Sequence, residues 1–172
     1  MILSHPFSNV CPGARGGVLT VLAHTEKPLT GRTVASLTKP HASLRAVQIA
    51  IDDLVLNGVV LREHAGRAHL YTLNRDHLAA PAVLALANLH HELLGRLQAE
   101  VSSWTVETYA TWMFGPAARG EAGTVSDIDL LVVRPDQVDD NDQIWLEQVA
   151  ALSEHVHSWT GNSCDVLELS VS

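Results

Sequence analysis

The sequence predicts an α+β protein made of two modules joined by a helix. Three observations lead to this fold class. First, apolar residues recur at helical spacing and then alternate as in a β-hairpin. Second, a stretch rich in Leu and Ala follows. Third, the last third of the sequence contains short apolar strands before and after a helical pattern. The 172 residues suffice for one large or two small domains, and we divide them at 1–75, 76–104 and 105–172.

Charge divides the sequence in the same way. Residues 1–75 contain eight Lys and Arg and four Asp and Glu, a net charge of +4. The remainder contains three basic and 15 acidic residues, a net charge of −12. We therefore expect the two parts to have different partners.

The cysteines and the N-terminal residues predict a cytoplasmic protein. Cys11 and Cys164 are the only cysteines, and they lie in different modules without metal-ligand spacing, which favours reduced thiols. No apolar run reaches the length of a membrane span. The first residues also lack the basic region and apolar core of a signal peptide. We expect no membrane partner.

Three helices are predicted in the first module. The first covers 14–24, the second begins at a Thr30 cap and ends near Leu37, and the third covers about 42–57. Gly58 then provides a left-handed helix end. Residues 1–12 contain two prolines and are expected to be irregular.

A β-hairpin is predicted after the third helix. Its strands cover 59–63 and 68–72, and its turn covers 64–67. Three helices followed by a hairpin resemble the winged helix-turn-helix domains of bacterial regulators over residues 1–75. The hairpin segment also shares their sequence pattern, NGVV…GRAHLYTLN. In that geometry the third helix enters the major groove of duplex DNA and the hairpin lies along the backbone.

The resemblance implies a set of polar DNA contacts. They are His41, Ser43, Arg45 and Gln48 at the third helix, Arg62 and Arg67 on the hairpin, and Arg32 on the second helix. Ser43, Arg45 and Gln48 would read bases, and the arginines of the hairpin would bind phosphates. Ordinary solvated side chains, or a protein-binding winged helix, are the alternatives. Because +4 is a modest excess, a homodimer is one way in which the module would bind DNA.

One long helix is predicted across residues 76–104. Its leucines and alanines give a broad apolar face, and Pro81 fits its first turn. The helix would pack against a core, brace the two modules or pair with its copy in a homodimer.

Residues 114–133 contain the residues with the clearest chemistry. A Gly115-Pro116 turn follows an apolar run, and its short helix would point free N–H groups at an anion. Asp127 and Asp129 begin the next strand, where residues two apart share a face and Ile128 points into the core. Two carboxylates beside a phosphate-binding turn are typical of sites that hold Mg²⁺ with a nucleoside triphosphate.

This segment resembles the signature of the DNA polymerase β-like nucleotidyltransferases, especially the minimal bacterial type. The matching residues are Gly115, Ala118-Arg119-Gly120 and Ser126-Asp127-Ile128-Asp129-Leu130, and the resemblance extends from about residue 105 to 172. It implies Mg²⁺ or Mn²⁺ at Asp127 and Asp129 and a nucleoside triphosphate substrate. The implied nucleotide contacts are Gly115, Pro116, Arg119 and Ser126. Pro116 stands where the family has serine.

The rest of the second module is predicted to complete a small mixed sheet. Strands cover 106–114, 128–133 and 164–169, and a helix of about 142–160 is capped by Asp139 or Asp140. Its inward residues would be Ile144, Trp145, Val149, Leu152 and Val156.

Asp165 lies in the last of these strands. In the resembled family a third carboxylate on a neighbouring strand completes the metal site, and Asp165-Val166-Leu167 fits its motif. Glu168 would face the other side of the sheet. The alternative for Asp165 is a surface aspartate at a strand end.

The resemblance implies two functions of different classes. The first is Mg²⁺-dependent transfer of a nucleotide from a nucleoside triphosphate to a protein or nucleic-acid acceptor, with a helical toxin-like protein as one partner. The second is a transcriptional regulator whose degenerate domain binds nucleotide or mediates assembly without catalysis. Pro116 supplies neither a hydroxyl nor an N–H to phosphates, which predicts weaker triphosphate binding in either case.

Overall fold

The computed structural model describes residues 1–39, 41–121, 123 and 126–170. The chain divides into two compact units, one of residues 5–89 and one of residues 1–4 with 90–172. Each unit combines helices with a three-stranded sheet, so the α+β prediction is confirmed. Within the described ranges, none of the helices is both long enough and apolar enough to cross a membrane.

The first unit contains the three predicted helices after a short 3₁₀ turn at Pro6–Asn9. They are α1 (Ala14–Ala23), α2 (Gly31–Leu37) and α3 (Leu44–Leu56). The Thr30 hydroxyl accepts a 3.2 Å hydrogen bond from the Thr33 N–H and caps α2 as predicted. The Ser43 hydroxyl caps α3 in the same way. Gly58, with φ of 74°, follows the end of α3.

The sheet of the first unit has one strand more than the predicted hairpin. Its strands are β1 (Leu29–Thr30), β2 (Val60–Ala65) and β3 (Ala68–Leu73), antiparallel in the order β1-β3-β2. Ala65 pairs with Ala68, so the turn is Gly66-Arg67 alone and the predicted four-residue turn is wrong. The longer ladder is possible because Gly66 adopts the φ of 61° that a tight hairpin turn needs.

A continuous apolar core joins the helices of the first unit to its sheet. Val18, Leu22, Val34, Val47 and Ile51 are fully buried in it. Phe7 also packs into this core, so the N-terminal segment is anchored although it is mostly irregular. Core packing therefore fixes α3 against the hairpin.

The predicted long helix of residues 76–104 is wrong. The structure has two helices instead, α4 (Ala80–Ala87) and α5 (Leu89–Ser102), and they belong mainly to different units. The Asn88 N–H donates to the carbonyls of both Leu84 and Ala85, each at 3.1 Å, which closes the last turn of α4. Asparagine is a weak helix former, and this helps the chain to break there.

The second unit contains the predicted mixed sheet. Its later elements are β4 (Ala110–Phe114), α6 (Gly115–Ala118), β5 (Ile128–Arg134), α7 (Gln143–Thr160) and β6 (Cys164–Ser170). The sheet order is β4-β5-β6, with β4 antiparallel and β6 parallel to β5.

Two predicted boundaries of the second unit are wrong. The first strand begins at Ala110 rather than at residue 106. The Thr108 hydroxyl, which precedes it, lies within hydrogen-bond distance of the carbonyls of both Ala110 and Val133 and shares its one proton between them. Asp142 caps α7 instead of Asp139 or Asp140, and its carboxylate accepts a 2.9 Å hydrogen bond from the Trp145 N–H.

Helix α7 covers only one face of the second sheet. Ile128, Leu130 and Val132 point to that face and are fully buried. They belong to one core with Trp145, Leu152 and Val156 of α7, whereas Ile144 is 48% exposed, contrary to the prediction. The Trp145 indole donates a 2.6 Å hydrogen bond to Glu168, which lies on the helix-covered face as predicted.

The cap of α7 gives a direct test of this boundary. Asp142→Ala should lower the free energy of unfolding of the second unit by about 1 kcal/mol, because the Trp145 N–H loses its acceptor. Urea unfolding followed by tryptophan fluorescence reports on this unit, since all four tryptophans, residues 104, 112, 145 and 159, lie in it. Asp140→Ala is the control and should change stability much less; an equal loss would contradict the assignment.

Candidate functional site

Nine side chains form the open face of the second sheet, opposite α7. Pairing across the three strands arranges them in three rows, Phe114–Asp129–Asp165, Trp112–Leu131–Leu167 and Ala110–Val133–Leu169. Directly paired residues of adjacent strands point to the same face, and so do residues two apart along a strand. We refer to the first row as the carboxylate row.

The carboxylate row brings together two of the three predicted catalytic aspartates. Asp129 and Asp165 are direct neighbours on parallel strands, which lie about 4.8 Å apart in such sheets. Asp129 is half-buried and Asp165 is exposed. The third, Asp127, is exposed and precedes β5, where the Ile128 N–H already donates to the Ser163 carbonyl at 2.8 Å.

The structure does not gather these carboxylates into a closed cluster. Across the described parts of the chain, no group of three or more His, Cys, Asp or Glu side chains is close enough to hold a metal ion. The arrangement present is therefore a pair, Asp129 with Asp165, and Asp127 lies one residue before β5.

The Gly115 turn lies directly against the carboxylate row. Gly115 has a φ of 68°, and a Cβ atom at this position would collide with the carboxylate of Asp129. Helix α6 is held in place by Ala117, which is fully buried, and by His90, whose Nε2–H donates to the Ala117 carbonyl at 3.0 Å. Pro116 is exposed, and its carbonyl accepts from the Glu121 N–H at 2.8 Å.

Two of the predicted nucleotide contacts have partners within the protein. The Arg119 guanidinium donates a 2.8 Å hydrogen bond to the Glu121 carboxylate on the surface. The Ser126 hydroxyl accepts a 2.9 Å hydrogen bond from the Gly123 N–H. Both side chains would need to exchange or share these contacts to bind a phosphate.

Asn162 forms hydrogen bonds with the same two residues, Gly123 and Ser126. It is only 2% exposed, and its amide donates to the carbonyls of Gly123 at 3.0 Å and Ser126 at 2.8 Å. The sequence places Asn162 after a helix-ending glycine, where an asparagine is usually a turn residue. Sequence reasoning therefore missed both Asn162 and His90, whose roles depend on contacts distant in the chain.

Cys164 lies beside the site but on the opposite face of the sheet. Burial, together with the nearby charges of Asp165 and Asp129, raises the pKa of its thiol to about 11, although a Ser153 hydrogen bond opposes the rise. The thiol is therefore protonated at neutral pH and is a poor nucleophile or metal ligand.

The first unit has a cleft of about 670 Å³ between its helices and its hairpin. Arg32, Arg45 and Gln48 line it, together with His69, which sequence reasoning missed. The Gln48 amide donates to Asp52 at 3.0 Å and to the Tyr71 hydroxyl at 3.3 Å. The structure thus brings three of the predicted DNA contacts to one concave surface.

The remaining predicted DNA contacts lie around this cleft or are already engaged. His41 and Arg67 are exposed, and Arg67 is in the tight turn of the hairpin. The Ser43 hydroxyl accepts the capping hydrogen bond of α3. Arg62 lies 4.0 Å from Asp52 on α3, in an exposed ion pair that contributes little stability.

No protein-family model matches this sequence, and neither the curated proteins nor the solved structures contain a significant match to it.

The contact between Gly115 and Asp129 can be tested with a matched pair of substitutions. Gly115→Ala and Gly120→Ala should each cost about 1–2 kcal/mol of stability, because both glycines have φ near 67° and alanine is strained there. Only Gly115→Ala should also displace Asp129, since a Cβ at Gly120 meets no atom within 4 Å. Urea unfolding and the NMR signals of the Asp129 carboxyl measure the two effects. A displaced Asp129 in both variants, or in neither, would contradict the geometry.

Proposed function

We propose that this chain is a DNA-binding protein whose second unit transfers a nucleotide from a nucleoside triphosphate to an acceptor hydroxyl. The observation that supports this most directly is the carboxylate row. Asp129 and Asp165 lie side by side on an open sheet face, and the Gly115 turn contacts Asp129.

The donor atoms of this row fit a hard divalent cation. Carboxylate oxygens are the ligands that Mg²⁺ and Mn²⁺ prefer, and such ions, when bound, neutralise the charge of a triphosphate. Asp129 and Asp165 would hold the ion, and Asp127 would join them from the start of β5. Asp127 is exposed and therefore free to reorient.

The protein's own groups suggest how the reaction would be arranged. Gly115 has no side chain, so the Asp129 carboxylate packs directly against its backbone, and the phosphates would bind next to this contact. Asp165 is exposed on an edge strand, where its carboxylate would accept the proton of the acceptor hydroxyl. Attack on the α-phosphate would release pyrophosphate. His90 would keep Ala117 in place, and Asn162 would keep Gly123 and Ser126 in place, through hydrogen bonds to their backbone carbonyls.

The charge and the cleft of the first unit support DNA as its partner. Arg32 and Arg45 provide cations for phosphates, and Gln48 provides an amide for a base edge. Further along α3, Ile49 and Leu56 are 61% and 85% exposed, so base reading would be confined to the N-terminal half of the helix. A DNA partner and free cysteines both fit a cytoplasmic protein.

Two observations favour a second function, in which the protein is a regulator that binds a nucleotide without catalysis. Pro116 supplies no N–H to a phosphate, and Arg119 is paired with Glu121. Both features weaken the charge stabilisation that catalysis of phosphoryl chemistry requires. Incubation with ATP and Mg²⁺ followed by mass spectrometry distinguishes the two, because only an enzyme adds a nucleotide mass to an acceptor, such as a helical toxin-like partner.

Replacing both members of the carboxylate pair should strongly weaken nucleotide binding. Asp129→Asn with Asp165→Asn should weaken binding of a non-hydrolysable ATP analogue with Mn²⁺ by roughly 100-fold or more, if each lost charged contact contributes about 1.5–3 kcal/mol. Isothermal titration calorimetry measures this affinity. The control is Asp136→Asn, an exposed acid outside the open face, which should bind as the wild type does. Unchanged affinity in the double variant would place the nucleotide elsewhere.

The DNA proposal predicts different effects for two arginines. Arg67→Ala should weaken binding to all duplexes alike and lower the slope of log K against log salt by about one, as expected for a phosphate contact. Arg45→Ala should instead change which sequences are preferred. Fluorescence anisotropy over a series of salt concentrations measures both. Arg75→Ala is the control, since Arg75 faces Glu26 outside the cleft. No binding of any genomic fragment at low salt would exclude DNA as the partner.

A further inference from the structure

The open face continues beyond the carboxylate row as an apolar surface. The second and third rows contain only Trp112, Leu131, Leu167, Ala110, Val133 and Leu169. Trp112 is 55% exposed, and Leu167 and Leu169 are about half exposed. Val133, in the middle of the third row, is buried. A contiguous apolar surface beside polar ligands is typical of a binding site.

Two aromatic rings stand out on this surface. Phe114 lies in the carboxylate row itself and is 42% exposed, and Trp112 lies in the next row of the same strand. Trp104 and Trp145 of the same unit behave differently, since both are buried and pack edge to face at 5.6 Å. The exposure of Trp112 is therefore not a general property of the tryptophans of this unit.

The charge of the second unit limits what can cover the aromatic rings. Residues 90–172 contain three arginines and 14 acidic residues, and none of the nine residues of the open face is basic. A nucleic-acid backbone needs cations to replace its counterions, so it is disfavoured on this face. The second row can bind an uncharged aromatic group. The carboxylate row can bind a negatively charged ligand only together with a cation.

We propose that Trp112, supported by Phe114, binds the nucleobase of the nucleoside triphosphate. The base stacks on the exposed indole, and the phosphates lie beside Asp129 and Gly115. Residues two apart along a strand are separated by about 6.6–6.8 Å, so the base and the phosphates occupy neighbouring rows of one continuous face. The inference rests on the proposed function and adds to it the residues that distinguish a nucleotide from a bare polyphosphate.

The test compares two triphosphate probes, one with and one without a nucleoside. The first is a non-hydrolysable ATP analogue with Mn²⁺, and the second is tripolyphosphate with Mn²⁺. Trp112→Ala should weaken binding of the ATP analogue about tenfold, within the range measured for base stacking, and leave tripolyphosphate binding within about twofold of the wild type. Trp112→Phe retains an aromatic ring and should bind the analogue within about threefold of the wild type.

Two further measurements separate stacking from a general disturbance of the sheet. Leu169→Ala truncates a similarly exposed apolar residue in the third row and should bind both probes as the wild type does. The ATP analogue should also quench tryptophan fluorescence in the wild type, and this quenching should disappear in Trp112→Phe.

The outcomes separate this inference from the function on which it rests. If Trp112→Ala binds the ATP analogue normally, or loses both probes equally, Trp112 is not a base-binding residue and the apolar rows bind another partner, such as a protein segment. In that case the loss of both probes in Asp129→Asn with Asp165→Asn would still support the proposed function. If the wild type binds neither probe, the proposed function and the inference both fail.

Discussion

The parallel pairing of β5 with β6 is the constraint on which the candidate site depends. In this register Asp129 lies directly beside Asp165, and the antiparallel pairing with β4 adds Phe114 to the same row. A parallel pair needs a crossover connection, and here α7 provides it. Because α7 packs on one face of the sheet, the other face remains open, and the two carboxylates are accessible from solvent.

Much of the fold could be predicted because local signals and tertiary packing agree. The cap at Thr30 and the period of α3 are local features, and the structure retains both. The predictions were wrong where contacts between residues distant in the sequence determine the local structure. The two residues of β1 form a strand only because β3 pairs with them, and β4 begins late because the Thr108 side chain bonds to Val133. A single asparagine at position 88 was too weak a signal for the helix break.

In the candidate site, too, some features could be predicted from the sequence and others could not. The resemblance implied that Asp165 lies on a strand next to the one that contains Asp129, and the pairing of β5 with β6 places the two residues side by side. The groups that support the site were not foreseen, because His90 and Asn162 act through side-chain hydrogen bonds to residues 27 or more positions away. Arg119, which the resemblance implied as a nucleotide contact, forms an ion pair with Glu121 in the structure. Backbone geometry is thus easier to predict from this sequence than the side-chain contacts that fix its loops.

The central claim is that the carboxylate row binds a divalent cation together with a nucleotide. The most direct measurement is paramagnetic broadening of the amide NMR signals by substoichiometric Mn²⁺ in the presence of a non-hydrolysable nucleoside triphosphate. The account predicts that the signals of Gly115, Asp129 and Asp165 broaden first. Broadening confined to the acidic segment 136–142, with those three signals unchanged, would show that the cation binds the surface loop and would contradict the account.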